Sequence, residues 1–187
     1  TAMSSDVTTS IGAVLSSAVR PSVRVPVTIT VCARSSLSAS WAVAGEASTA
    51  LPSLGMATPR VSMKVSAASG DNNPDDDRID RFDPLFANPT YTGSVPLFGP
   101  TNLAAINPGI SLTWPDGARL SVDVSVMRRV EAADTAWTFA GTPILANATG
   151  GQSIGALWAA TGQLPLDQNL SLSFTLARFV ASRSFAP

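Results

Sequence analysis

The sequence predicts an all-β, antiparallel protein of the up-and-down transmembrane β-barrel type, and three observations carry that prediction. The first is composition: 13% of the 187 residues are charged and 45% are hydrophobic, with a mean hydropathy of +0.23. A typical soluble domain carries about 25% charged residues. Yet no stretch approaches the roughly 18 consecutive apolar residues of a spanning helix, because Ser, Thr, Gly and Pro interrupt every apolar run. The second observation is hydrophobic alternation with a period of two. The third is the spacing between the alternating runs, in which short and long links take turns. Lipid can be met by strands only when alternate residues face it and the sheet has no open edge.

Eight candidate strands follow in order. Residues 7–15 form a plausible first strand. Residues 22–32 alternate Val23, Val25, Val27, Ile29 and Val31 with Arg24, Thr28 and Thr30, and Pro26 removes one ladder donor. Residues 37–49 set Trp41 and Val43 against Ser40, Ala42, Ala44 and Glu46. Residues 60–67 set Val61, Met63 and Val65 against Arg60, Ser62, Lys64 and Ser66. A short run at 110–114 and a longer one at 118–130 flank Pro115-Asp116-Gly117, which predicts a hairpin. In the second run Leu120, Val122, Val124 and Val126 share one face, opposite Arg119, Ser121, Asp123, Ser125 and Arg129. Residues 152–162 are rich in small side chains and fit a strand or a short helix. Residues 169–179 alternate Leu170, Leu172, Phe174 and Leu176 with Ser171, Ser173 and Thr175. A helix would scatter each of these sets around its circumference, whereas a strand separates them.

The links between the later strands run long at 70–107, tight at 115–117, long at 131–151 and short at 164–168. Outer-membrane barrels have this alternation because their periplasmic turns are short and their extracellular loops long. The remaining bounds are exclusions. With a net charge of -1, nothing calls for nucleic acid. The chain has no histidine, which removes Ser-His-Asp and Cys-His catalysis and any His-bearing zinc site. Cys32 is the one cysteine, so no internal disulfide forms. Residues 1–6 lack a signal peptide, so the chain is expected to be processed or part of a longer barrel.

A more specific signal lies in Ser69-Gly70-Asp71-Asn72-Asn73-Pro74-Asp75-Asp76-Asp77-Arg78, followed by Phe82-Asp83-Pro84-Leu85-Phe86 and then Phe98-Gly99-Pro100-Thr101-Asn102-Leu103. This succession resembles the alginate export family. Trp41 to Ala47 upstream, the hairpin through Thr113-Trp114-Pro115 and Arg129, and Asn169-Leu170-Ser171-Leu172-Ser173 are also similar to it. The resemblance covers about 37–187, leaving 1–36 as poorly matching N-terminal strands. It implies a large barrel in the bacterial outer membrane, of which this chain is the C-terminal portion. The implied role is passive export or diffusion of an anionic, alginate-like polysaccharide or small solutes. Outer-membrane lipid and periplasmic export machinery are the implied partners.

Candidate sites follow from the strand faces. If the apolar faces meet lipid, then Arg60, Lys64, Arg119, Asp123 and Arg129 line a lumen, where the excess of Lys and Arg favours a polyanion. Arg178 falls on the apolar face near a strand end. The run Asp71-x-Asn73-x-Asp75 begins like a calcium loop, but Asp76 stands where glycine is required and Phe82 where glutamate is required. Those acids are instead expected to pair with Arg78 and Arg81, so no metal and no cofactor is expected. Trp114, Trp137, Trp158 and Tyr91 are candidates for interfacial belts. Asp123 and Glu46, the acids within the strand runs, lie on separate strands with no spacing that calls for an enzyme. The alternative from another class is a soluble, secreted β-sandwich that binds carbohydrate, distinguished by burial of the Leu120/Val122/Val124/Val126 face in a core.

Overall fold

The computed structural model describes residues 9–15, 25–32, 40–84, 95–144, 151–183 and 185. Within them the chain forms ten strands and no helix: β1 (Thr9–Leu15), β2 (Val25–Cys32), β3 (Ala42–Ala50), β4 (Thr58–Ala68), β5 (Leu103–Thr113), β6 (Arg119–Arg128), β7 (Ala136–Trp137), β8 (Pro143–Ile144), β9 (Ser153–Asp167) and β10 (Leu170–Ala181). Eight of them make one sheet in the order β1-β2-β3-β4-β5-β6-β9-β10, while β7 and β8 pair only with each other. Every pairing is antiparallel. The expected all-β, antiparallel meander is therefore present. It is an open sheet among the described residues, with β1 and β10 each having a single neighbour.

Register follows the alternation. Val61, Met63 and Val65 of β4 pair with Ile110, Pro108 and Ile106 of β5, and Ile110 and Ile106 pair onward with Val122 and Val126 of β6. A slip of one residue would move each of these sets to the opposite face. The turn at 114–118 is closed by Trp114 N donating to Ala118 O at 3.0 Å, with Gly117 at φ 86°. A side chain there would be strained, so the Pro-Asp-Gly turn is built as its sequence predicts.

Two strands are longer than their hydrophobic pattern suggests. β5 begins at Leu103, so the preceding link ends at Asn102 rather than at 107. Ala104, Ala105, Pro108 and Gly109 blur the contrast, and Pro108 has no N–H for the ladder. The β5–β6 register indeed skips Asn107 and Pro108. β9 extends to Asp167, which reduces the last link to a two-residue turn at 168–169. Its helix alternative is excluded by continuous pairing with both β6 and β10. At its start, Arg128 pairs with Ser153 and Met127 with Gly155, so Ile154 is an unopposed bulge residue, 0% exposed.

The links at 51–57, 114–118 and 168–169 leave one end of the sheet, and those at 69–102 and 129–152 leave the other. The long links fold over one face, called the inner face here. There Phe98, Leu103, Ala105, Met127, Ala136, Ile154 and Leu157 form the apolar core, close to the long-loop end. Phe98, Phe179 and Phe185 add a ring cluster, with centroids 5.5 to 6.4 Å apart.

Candidate functional site

The two faces of the sheet reverse the usual order of a soluble protein. On β5 and β6, Ile106 is 53% exposed and Val126 54%, whereas their neighbours Asn107 and Ser125 are 4% and 0% exposed. Leu172, Phe174 and Leu176 of β10, Met63 and Val65 of β4, and Trp158 of β9 are likewise exposed. Apolar side chains thus populate the open outer face. The inner face carries polar and small side chains from the short turns to its middle and the apolar core beneath the loops. The Phe174 ring lies over Gly162, its cross-strand partner on this outer face, filling the space a Cβ would take.

Charged groups on the inner face are ordered by register. Arg119 shares the cross-strand row nearest the short turns with Thr113, Thr58 and Gln163. Arg60 lies one row further in, level with Ser111 and Ser121. Asp123 is in the next row with Gly109 and Ser62, and Lys64 is in the row beyond with Asn107 and Glu46. Successive rows are separated by about 7 Å, two strand residues. The cations therefore climb the wall in steps from the short-turn end toward the middle. They line a groove of about 250 Å³. Lys64 Nζ lies 4.0 Å from Glu46 Oε2, and Arg60 donates to Ser48 Oγ at 3.1 Å. The Arg60 contact is exposed and the Lys64 pair half-exposed, so each orients a long side chain at modest energy. Deeper in the groove, Asn107 Nδ2 donates to Ser125 Oγ across the gap left by Pro108.

Arg60, Lys64, Arg119 and Asp123 are thus brought together. Arg129, grouped with them by parity in the sequence, lies elsewhere. It falls one residue past the end of β6, is 3% exposed, and donates to the carbonyls of Ala132 (3.1 Å), Asp134 (2.7 Å) and Gly151 (2.7 Å). It pins the 129–152 link and does not line the groove. Glu46 and Asn107 also wall the groove, beyond the residues expected from the sequence. Glu46 could be found from its place on the polar face of 37–49. Asn107 is hidden by Pro108, which makes its part of β5 read as loop.

The 69–102 segment has a mechanical role. Asn102 is 0% exposed with φ 50°. Its Oδ1 accepts from Val130 N (3.1 Å) and Glu131 N (2.7 Å), and its Nδ2 donates to Glu131 O and Thr135 O (3.0 Å each). One side chain so satisfies four backbone groups of the other long link. Gly70 leaves room for it, since a Cβ there would overlap the Asn102 amide. Ser69 O accepts from Phe82 N (3.0 Å) and Asn102 N (3.2 Å), and Ser69 Oγ accepts from Trp41 N (3.0 Å). Asp71 N donates to Asp134 Oδ2 at 3.0 Å. A Cβ at Gly99 would stand 2.7 Å from Thr138 O, Pro84 and Pro100 wall a shallow pocket beside it, and Leu103 enters the core. Leu85, Phe86 and Tyr91 lie outside the described residues.

The acidic stretch and the tryptophans depart from expectation in detail. Asp76 accepts from Arg78 N (2.8 Å) and from Asn73 Nδ2 (3.1 Å). The Arg78 guanidinium pairs at 3.9 Å with Asp80, outside the 71–77 run, while Arg81 stacks 4.4 Å over Trp137. Trp137 therefore belongs to the loop layer, whereas Trp158 stands on the outer face opposite Val124 and Arg178. No group of three or more metal-ligating side chains occurs among the described residues.

The fold and site together define an all-β, antiparallel protein with an exposed apolar face, stepped cations on the other face and long loops clamped over one end. The chain belongs to the alginate export family, whose match spans residues 32–183. Membership suggests a role in alginate export and implies a polysaccharide as substrate. No curated protein and no solved structure matches the chain. No helix among the described residues is long and apolar enough to cross a membrane, which has no bearing on strands.

Proposed function

We propose that this sheet is a sector of an outer-membrane β-barrel that passively conducts an anionic polysaccharide, and that further strands complete the barrel at the β1 and β10 edges. The observation that carries the reading is the reversed amphipathicity: Ile106, Val126 and Leu172 are about half exposed while Asn107 and Ser125 are buried. In water such an apolar face is a severe liability. In a bilayer it is the face that meets hydrocarbon. A β-sandwich core would require a second layer over the same residues, and the long links cover the opposite face.

On this reading the inner face is lumen wall. Arg119, Arg60 and Lys64 outnumber Glu46 and Asp123 there, so the wall attracts carboxylates more than it repels them. Each cation is several ångströms from the next, which lets a polyanion exchange one contact for another without deep trapping. Rings of fixed charge select ions by this balance of entry and release. The clamped loops narrow the lumen at the long-loop end. No catalysis enters the proposal. Glu46 and Asp123 lie three strand spacings apart, about 14 Å, beyond the separation at which a carboxylate pair hydrolyses a glycoside. Periplasmic export machinery would deliver the polymer to the short-turn end.

The test is single-channel recording in planar bilayers after refolding from detergent, with reversal potentials taken in a salt gradient. Anion-preferring openings that lose their preference in Lys64→Glu/Arg119→Glu support the lumen assignment. A chain that is monomeric without detergent and shows no conductance overturns it in favour of the sandwich.

A further inference from the structure

The outer face carries a groove of about 540 Å³ near the long-loop end, on the opposite side of the sheet from the stepped cations. Val43, Val65, Ile106 and Val126 wall it, one from each of β3, β4, β5 and β6. Its floor dips at Ala67 and Ala104, which are cross-strand partners. The row holding this floor runs from Val43 through Ala67 and Ala104 to Arg128. Arg128 is exposed, and one terminal nitrogen donates to Gln152 Oε1 at 2.9 Å. Gln152 is itself anchored, its Nε2 donating to Val130 O at 2.8 Å. The guanidinium is thus held at the rim of an apolar trough, and its five N–H donors leave capacity for an anion.

We propose that this groove seats one acyl chain of an anionic, phosphate-bearing lipid, whose phosphate meets Arg128. The trough offers apolar wall to a methylene chain, and the guanidinium fork matches phosphate oxygens in a bidentate way. A zwitterionic lipid would bring its own ammonium toward Arg128, so charge favours the anionic headgroup. Trp41, 40% exposed just before β3 at the same end, adds an amphipathic ring suited to headgroup depth. The inference rests on the membrane-facing reading of the outer face, and its test separates the two.

The full chain is refolded into nanodiscs of equimolar dilauroyl phosphatidylglycerol and dilauroyl phosphatidylcholine, and the lipids it retains are counted by native mass spectrometry. Wild type is expected to retain one phosphatidylglycerol with about tenfold preference. Arg128→Gln brings the ratio close to one. Ala104→Leu fills the floor and removes the retained lipid of either kind. Arg178→Gln, an outer-face cation away from the groove, leaves the preference unchanged. Retention without headgroup preference, or a preference that survives Arg128→Gln, overturns this site while leaving the lipid-facing sheet intact. A chain that folds without detergent and retains no lipid overturns both.

Discussion

Replacing Asn102 dissects the clamp between the two long links. Its side chain makes four hydrogen bonds to backbone groups of Val130, Glu131 and Thr135 in a fully buried position. At about 1 kcal/mol net for each bond, Asn102→Gly removes roughly 4 kcal/mol of local stability, less about 1 kcal/mol because glycine is unstrained at φ 50°, so about 3 kcal/mol is expected. Asn102→Ala loses the same bonds and keeps the Cβ at φ 50°, so it lacks the relief glycine gives and should cost about 1 kcal/mol more than the glycine variant. Hydrogen exchange at the Val130 and Glu131 amides is the assay: about 3 kcal/mol corresponds to roughly a hundredfold loss of protection. Gly70 supplies a second arm. Gly70→Ala forces a Cβ into the Asn102 amide and destabilises the wild-type background, but is close to neutral when Asn102 is already Gly. Non-additivity of that kind marks two residues sharing one space. If both Asn102 variants cost under about 1 kcal/mol, or if the Gly70 effect is the same in both backgrounds, the clamp is not what joins these links.

Two further outcomes are expected. Val124→Lys places a charge on the outer face between Val122 and Val126 and should cost about 2–4 kcal/mol on folding into a bilayer, whereas Ser121→Lys on the inner face should stay within about 0.5 kcal/mol; urea titration in lipid vesicles measures both. Gly155→Ala sets a Cβ against the Val180 carbonyl at a backbone φ of 146° and should cost about 2 kcal/mol, read as a lowered urea midpoint with loss of protection along β10.

Much of the sheet is legible in the sequence because β4, β6 and β10 each set bulky aliphatic or aromatic side chains against Ser, Thr, Lys or Arg. β9 is not, since Gly155, Ala156, Ala159, Ala160 and Gly162 carry little hydrophobic contrast, and pairing with β6 and β10 decides its conformation. β5 is hidden from 103 to 109 by Pro108 and Gly109, which mark turns in most contexts. Of the site, Arg60, Lys64, Arg119 and Asp123 follow directly from alternation, whereas Asn107 does not. Arg129 does not, because parity has no meaning one residue beyond a strand end. The clamp is likewise invisible locally: Asn102 meets partners 28 to 33 residues away, through contacts that exist only after both links fold over the sheet. Alternation also names two faces without saying which is covered. That is decided by where the loops lie.

Apart from the small β7–β8 excursion, every strand of the main sheet lies beside its predecessor in the chain. Such a sheet grows by local events, each hairpin closing on the last without threading, which keeps its contact order low for an all-β protein. It also makes the hairpin a unit of inheritance. Duplicating or deleting one pair of strands leaves every other neighbour relation unchanged, and in a closed barrel the diameter rises with strand number. If the proposed barrel holds, pore width is therefore a quantity that genes can adjust in steps of two strands, with no rewiring of what remains.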